Sequence, residues 1–180
     1  MFMIDTPAQP EPRLWTPEGF REDAWHHGEG SEALISNARL ILPLADYLAL
    51  DENERRSAGA RFGVVLQPGD RIEAIVEDLP YLGLVALAFP AFSDGRSFSK
   101  AALLRSRYGF TGSVRATGQI LVDQLPHMLR VGFDEFEISN PVLLRRLEKG
   151  DTGGLPLQYQ PSAKPSTGGQ AYSWRRKPGD

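Results

Sequence analysis

The hydrophobic positions along the chain fall into short apolar runs separated by amphipathic stretches, and this alternation begins near Leu40. Short apolar runs bounded by Gly, Pro and Asp are typical of buried strands, whereas apolar residues spaced three and four apart predict helices. The predicted strands are residues 40–42, 62–66, 84–89, 113–117 and 133–138. The predicted helices are residues 44–56, 70–79, 98–108, 119–131 and 141–149.

A helix follows each predicted strand after a short loop, and this order predicts an α/β fold. Connections of this kind are right-handed and place neighbouring strands parallel to each other. We therefore expect about five βα units that form a parallel sheet, either open and flavodoxin-like or curved into part of a TIM-like barrel. Both arrangements leave exposed strand edges, which favours a homodimer.

Local signals mark several of the helix ends. Asp70 with Glu73 has the spacing of a capping box, in which each side chain accepts a hydrogen bond from the other residue's backbone. The pairs Gly109-Phe110 and Gly132-Phe133 each predict a left-handed helix stop followed by an apolar contact. Asn140-Pro141 predicts a helix start, with an N-cap and a proline in the first helical position.

The two ends of the chain differ from the middle. We interpret residues 1–30 as an irregular or β-hairpin entry segment and residues 31–150 as the α/β domain. Residues 151–180 are rich in Gly, Pro, Ser, Thr and Gln and lack periodicity, which predicts a flexible tail. The sequence Trp174-Arg175-Arg176-Lys177 near its end could dock on a partner, on a second subunit or back onto the domain.

Composition excludes several classes of function. The chain has 180 residues and no cysteine, so thiolate catalysis, disulfides and cysteine-bound metal clusters are excluded. The first residues do not resemble a signal peptide and no apolar run approaches membrane-spanning length, so we expect a cytoplasmic protein without a membrane partner. Basic residues are not interleaved with aromatic ones in a dense patch, so we expect no nucleic-acid partner.

Charge is distributed unevenly along the chain. The net charge is −3, but residues 1–80 carry 15 acidic and 7 basic residues, whereas residues 81–180 carry 8 acidic and 13 basic residues. A basic second half suits anion binding or docking on an acidic protein. An alternative is that the two halves fold against each other and neutralise each other's charge.

The segment between the strand 84–89 and the next helix is the strongest candidate for a binding site, because charged and hydroxyl side chains are concentrated there. Parallel α/β folds bind ligands at the loops that leave the carboxyl ends of the strands. Hydroxyl and cationic groups at a helix start suit a sulfate, sulfite, phosphate or carboxylate. The predicted anion contacts in this segment are Asp94, Arg96, Ser97, Ser99 and Lys100. Alternatively, Asp94 pairs with Arg96 and Ser97 only caps the helix.

The next strand and helix supply further candidates. Arg115 and Gly118 complete the predicted anion site, and Gly118 lies where the backbone must approach another group closely. Phe92, Asp123 and Gln124 are candidates for lining a pocket, although a structural role suits Gln124 as well.

Two other groups have less support as functional sites. Arg105 lies in the apolar arc of its helix, and we expect it to form a structural ion pair with Glu135 or Glu137. The pair His26-His27 with Glu22 and Asp23 has metal-binding residue types, but adjacent histidines in a polar segment more often face solvent. We therefore expect no metal site, and the sequence identifies no cofactor.

A series of motifs resembles the bacterial DUF934 family, a family of unknown function. The resemblance covers about residues 20–150, and the segment Leu42-Pro43-Leu44 is similar to the start of that family as well. The motifs that carry it are Phe89-Pro90-Ala91-Phe92-Ser93-Asp94-Gly95-Arg96-Ser97-Phe98-Ser99, Leu103-Leu104-Arg105, Tyr108-Gly109, Gly112 to Gly118, Asp123-Gln124 and Gly132-Phe133-Asp134.

The resemblance implies a role in assimilatory sulfur metabolism, because such proteins are typically encoded beside sulfite or nitrite reductase haemoproteins and adenylyl-sulfate reductases. We therefore expect an accessory protein of sulfite reduction that binds the reductase haemoprotein or its electron donor, with a small oxyanion as a further ligand left open. The alternatives are a small oxidoreductase or other enzyme acting on an anionic substrate, and a flavin-binding electron carrier. No established catalytic residue accompanies the resemblance.

Overall fold

The fold is a curled, mostly parallel sheet with helices packed on one face. A computed structural model describes residues 11–29 and 37–153. The strands in these ranges are β1 (Arg13–Thr16), β2 (Gly19–Arg21), β3 (Trp25–His27), β4 (Arg39–Pro43), β5 (Phe62–Leu66), β6 (Leu84–Phe89), β7 (Ser113–Gly118) and β8 (Glu135–Ile138). They form one sheet in the order β2-β1-β8-β7-β6-β5-β4-β3. The predicted α/β class is confirmed.

Strand direction follows the type of connection. The strands β4 to β8 are neighbours in chain order and pair in parallel. The entry segment contributes the hairpin β1–β2, with β1 antiparallel to β8, and the short strand β3, parallel to β4. A β-hairpin was one of the two predictions for this segment, and it is confirmed.

The sheet curls so that its two ends approach each other. In the hydrogen-bonded order, β3 is an edge strand and β8 lies five positions away. Yet His27 Nε2 of β3 lies 2.8 Å from Glu137 Oε1 of β8. Because both side chains project from the face opposite the helices, that face is concave, and it is called the inner face below.

Side chains alternate between the two faces of the sheet. On the helix-covered face, the main core includes Val64, Leu87, Ala116 and Phe136, together with apolar residues of every helical segment but one. On the inner face, Trp25, Ile41, Leu84 and Ala86 form a smaller apolar cluster. The central strand β6 is buried along its whole length because both of its faces are covered.

The helices follow the strands in chain order. The α-helices are α1 (Leu44–Ala49), α2 (Glu52–Ser57), α3 (Arg96–Ser106), α4 (Leu125–Val131) and α5 (Pro141–Glu148). Two 3₁₀-helices span Ile72–Tyr81 and Val122–Gln124. Among the described residues, no helix is long and apolar enough to cross a membrane.

The predicted helix at 44–56 is two helices. The chain breaks at Leu50, and Asp51 then accepts a hydrogen bond from the Asn53 amide, while Glu54 accepts one from the Asp51 amide. A complete capping box therefore starts α2, and its hydrogen bonds satisfy backbone amides at this second helix start.

The predicted capping box at Asp70 is wrong. Asp70 instead accepts a hydrogen bond from the Gln67 amide, and the helix that follows is 3₁₀. Its buried side chains include Ile72, Ile75 and Asp78, which are three residues apart. A 3₁₀-helix has three residues per turn, so this spacing places all three on one face.

Both predicted glycine stops are confirmed. Gly109 has φ +61° and Gly132 has φ +112°, and Phe110 and Phe133 after them are buried. The predicted start at Asn140-Pro141 is also confirmed, because the Asn140 side chain accepts hydrogen bonds from the first two free amides of α5. The predicted tail, including Trp174 to Lys177, lies beyond Gly153 and outside the described residues, apart from residues 151–153.

Candidate functional site

The loop between β6 and α3 lies at the carboxyl edge of the parallel strands, where ligand sites are expected. The helix α3 begins at Arg96, and its N-cap is Gly95, which has no side chain. The Asp94 carboxylate instead accepts a hydrogen bond from the Arg96 amide at 3.2 Å. The prediction that Ser97 caps this helix is therefore wrong. Ser97 lies inside the first turn, and its hydroxyl donates to the Ala88 carbonyl at 2.7 Å.

Arg96 is held by the aspartate two residues before it. Its guanidinium donates to both carboxylate oxygens of Asp94, with Nη2 2.6 Å from Oδ2. These hydrogen bonds lower the pKa of Asp94 to about 2, so the pair stays ionic throughout the neutral range. The Arg96 side chain remains 64% exposed. The alternative in which Asp94 pairs with Arg96 is thus the arrangement that the structure has.

Lys100 joins two loops of the carboxyl edge. Its ammonium donates to the carbonyls of Gln67 at 2.6 Å and Pro68 at 2.8 Å, in the loop after β5. The residue is only 9% exposed, and burial lowers the pKa of its ammonium. Lys100 therefore fastens α3 to the preceding loop, and two of its three donors are already used.

Gln124 connects the loop after β6 to the turn after β7. Its amide nitrogen donates to the Phe92 carbonyl at 2.8 Å, and its oxygen accepts from the Leu121 amide. This fixes the backbone at Phe92, while the residue as a whole stays 55% exposed. Ser99 and Asp123 are exposed as well. The edge therefore presents an anchored loop with an aromatic side chain in solvent.

Gly118 has a structural reason to be a glycine. It ends β7 with φ +96°, and a Cβ at this position would lie 2.4 Å from the Phe89 carbonyl oxygen. The next amide, of Gln119, donates to that same carbonyl at 2.7 Å. The close approach predicted from the sequence is thus to the backbone of the neighbouring strand.

Arg115 lies on the inner face and not in the loop. Its guanidinium is fully buried and donates to Asp23, Glu135 and Glu137, at distances between 2.7 and 3.0 Å. Burial opposes the charged form, but these carboxylates more than compensate and raise the pKa of Arg115. Burial also raises the pKa of Asp23, and the hydrogen bonds from Arg115 and the Trp25 amide outweigh it and lower that pKa overall.

The same cluster includes a titratable histidine. The hydrogen bond from His27 to Glu137 raises the pKa of His27 above its ordinary value, with burial opposing the shift. Ser113 adds a hydrogen bond from its hydroxyl to Glu135 at 2.7 Å. The inner-face cluster, defined as Asp23, His27, Ser113, Arg115, Glu135 and Glu137, links the entry segment to β7 and β8.

Sequence reasoning found Arg115 but missed this cluster. The available signal was an arginine between Val114 and Ala116 in an apolar strand, together with acidic residues at alternate positions of β8. A charge on a buried strand needs opposite charges on the neighbouring strand. The contribution of Asp23 carries no sequence signal, because it depends on the curl of the sheet.

Arg105 forms a structural ion pair, as predicted, but with Asp134. Its guanidinium also donates to the carbonyls of Gly132, Phe110 and Gly112 at 2.6 to 3.0 Å. Glu135 and Glu137 cannot reach it, because they project from the inner face while Arg105 lies on the helix side. Arg105 therefore joins the two glycine stops.

The predicted anion-binding groups are therefore mostly engaged within the protein. Arg96, Ser97, Lys100 and Arg115 each have intramolecular partners, and Arg115 is separated from the loop by its position on the inner face. The carboxyl edge of the sheet is therefore an exposed surface with short polar side chains and not a deep cationic pocket.

Comparison with models of protein families shows which family the chain belongs to. Residues 63–168 match a family described as a bacterial protein of unknown function, DUF934. The chain belongs to the DUF934 family. The match includes the loop after β6, Arg105, Gly118 and the inner-face residues of β7 and β8, and it continues beyond Gly153. A comparison with curated proteins gave no match.

Proposed function

We propose that this DUF934 protein is an accessory protein of assimilatory sulfite reduction that binds the reductase haemoprotein or its electron donor. The link to sulfite reduction rests on the family resemblance, which implies genes for sulfur reduction as neighbours. The preference for protein binding rests on the carboxyl edge of the sheet. The observation that carries it is the exposure of Phe92 in a loop whose charged groups are satisfied internally.

The surface around Phe92 has the properties of a docking site. Aromatic residues are enriched at the energetic centres of protein interfaces. A backbone that is fixed before binding loses less conformational entropy when the partner arrives. Gln124 holds this loop at the Phe92 carbonyl. Lys100 fastens α3, the helix that the loop enters, to the loop after β5 through the Gln67 and Pro68 carbonyls.

A growth experiment tests the role in sulfite reduction. We expect deletion of the gene to slow growth on sulfate or sulfite, but not on cysteine, and the wild-type gene to restore growth. Complementation with Phe92→Ser should fail, whereas the matched variant Leu48→Ser should succeed, because Leu48 is a similarly exposed apolar residue on α1. Normal growth of the deletion strain on sulfate and sulfite would refute the role.

Co-purification tests the binding step separately. The wild-type protein should retain the reductase or its electron donor from extracts of the native host. The Phe92→Ser variant should retain at least about tenfold less of it. Equal retention by Phe92→Ser and wild type would exclude the surface around Phe92. A homodimer that buries Phe92 is a further outcome, visible as a doubled mass in sedimentation that Phe92→Ser abolishes.

The alternative functions give different results in the same experiments. An enzyme that holds an anionic substrate at the loop requires the charge of Arg96, so Arg96→Ala would abolish complementation. Under the docking proposal, Arg96→Ala restores growth. A flavin carrier purifies as a yellow protein, and a colourless preparation removes that alternative for the protein as purified.

A further inference from the structure

An apolar groove lies beside the last described residues of the chain. It has a volume of about 150 Å³ and lies between the turn after β7 and the first turns of α5. Its lining includes the apolar residues Leu121, Val122, Val142 and Leu143, together with Arg146. Val142 is 59% exposed, the most exposed large apolar side chain among the described residues.

The chain returns to this groove after α5. Arg146 donates to the carboxylate of Asp151 from Nε and Nη2, both at 2.8 Å. This contact holds the chain that follows α5 against the end of the helix. Gly153 then has φ +71°, and a Cβ there would lie 2.9 Å from the Val122 carbonyl oxygen and 3.0 Å from Val122 Cγ2. The last described residue therefore touches the rim of the groove with its backbone.

The residues that follow are apolar before the sequence becomes polar. The sequence continues as Leu155-Pro156-Leu157-Gln158-Tyr159 and then as a stretch rich in Ser, Gly and Gln. An extended chain covers about 3.3–3.6 Å per residue, so Leu155 and Leu157 reach about 7 and 14 Å from Gly153. The family match extends to residue 168, so these residues belong to the sequence that defines the family.

We propose that Leu155 and Leu157 of the same chain occupy this groove and cover Val142. Burial of two leucines against an apolar lining offsets the entropy of ordering a short segment. Pro156 restricts the unbound segment, which reduces that entropy further. The segment starts at the groove, so docking requires no long loop to close.

A single introduced thiol tests this proposal, because the chain has no cysteine. The thiol of Val142→Cys should react with a disulfide reagent at least about tenfold more slowly in the otherwise natural chain than in a chain that also carries Leu155→Asp and Leu157→Asp. In the otherwise natural chain the two leucines must leave the groove before the reagent can reach the thiol. The milder tail variant Leu157→Ser should raise the rate in the same direction but less.

The control thiol is Leu48→Cys, on an exposed position of α1 away from the groove. Its reaction rate should be the same with and without the tail substitutions, which shows that the substitutions do not change thiol reactivity away from the groove. The far-UV and near-UV circular dichroism spectra of both chains should also agree, which shows that the domain remains folded. Equal rates for the Val142→Cys thiol with and without the tail substitutions would overturn the proposal. Slow reaction that disappears on dilution would also overturn it, because the occupant would then be a second copy.

Discussion

At the scale of single residues, Arg115 shows how a buried charge is tolerated. It lies in the middle of a strand, and the residues on either side of it are fully buried. Carboxylates accept the hydrogen bonds that its guanidinium donates. Removing one member of such a group leaves the others charged and without compensation, which costs far more than breaking an exposed pair. The residue therefore contributes to stability and to the attachment of the entry segment.

We expect Arg115→Met to lower the free energy of unfolding by about 3–5 kcal/mol at neutral pH, measured by urea denaturation. The loss should shrink under acidic conditions, because the Asp23 carboxylate, whose pKa is held down by the hydrogen bond from Arg115 in the wild type, can then take up a proton. Arg96→Ala is the matched control, since its pair with Asp94 is exposed, and it should leave stability unchanged within error. Equal effects of the two substitutions would contradict the role given to the inner-face cluster.

At the scale of elements, glycines and short polar contacts decide where strands and helices meet. Gly118 allows the end of β7 to approach the Phe89 carbonyl, and Arg105 holds the two turns that follow α3 and α4. Asp78 pairs with Arg55 at 2.6 Å and is buried on the 3₁₀-helix Ile72–Tyr81. This contact between separate elements favours the three-residue spacing over the α-helical one.

We expect Gly118→Ala to be more destabilising than Gly109→Ala. Both glycines have positive φ, so each substitution carries a conformational cost of about 1–2 kcal/mol. Gly109 has open space around the missing Cβ, whereas a Cβ at Gly118 meets the Phe89 backbone. That contact should add at least about 1 kcal/mol, measured by urea denaturation. A smaller effect at Gly118 than at Gly109 would show that the strand ends can separate without penalty.

At the scale of the whole molecule, the curl of the sheet brings distant parts of the chain together. Asp23 and His27 in the entry segment contact Arg115 and Glu137, which lie 92 and 110 residues later in the chain. Arg13 similarly pairs with Glu148. The Asp23–Arg115 pair joins an acidic residue of the first half to a basic residue of the second, which is the alternative considered for the uneven charge. The Arg13–Glu148 and His27–Glu137 pairs have the opposite polarity.

Stability should depend on pH through His27. Its pKa is raised in the folded state, so the stability that it contributes is complete below the unfolded value of 6.5 and is lost as pH rises through the folded-state pKa. We therefore expect His27→Gln to lower stability at about pH 6 and to have less effect at about pH 8. Urea denaturation at both pH values measures this, and His26→Gln on the same strand is the control.

The opposite sign applies to His127, whose pKa is lowered by burial and by Arg130. The stability that His127 contributes is lost as pH falls. The pH profile of wild-type stability therefore contains opposite contributions from the two histidines. The comparison between His27→Gln and wild type isolates the contact that closes the sheet. A pH-independent difference between them would mean that the His27 to Glu137 contact does not stabilise the fold through charge.

Local signals determined much of the fold. The strands Phe62–Leu66 and Leu84–Phe89 have their predicted bounds, because continuous apolar runs between turn residues have few other structures available. The glycine stops and the start at Asn140 also followed from the sequence, since caps depend on residues that are adjacent in the chain. The same local signals placed the loop after β6 at the carboxyl edge.

Tertiary structure decided what those residues contact. The sequence could not show that Ser97 bonds to Ala88, that Lys100 bonds to the loop after β5, or that Asp23 meets Arg115, because each partner is chosen by the packing of separate elements. It identified the loop after β6 and its charged residues. The pair between Asp94 and Arg96 was already an alternative from the sequence, because these residues are two apart. Only the curl of the sheet and the packing of its helices showed that Lys100 and Arg115 have internal partners and that Phe92 is left exposed.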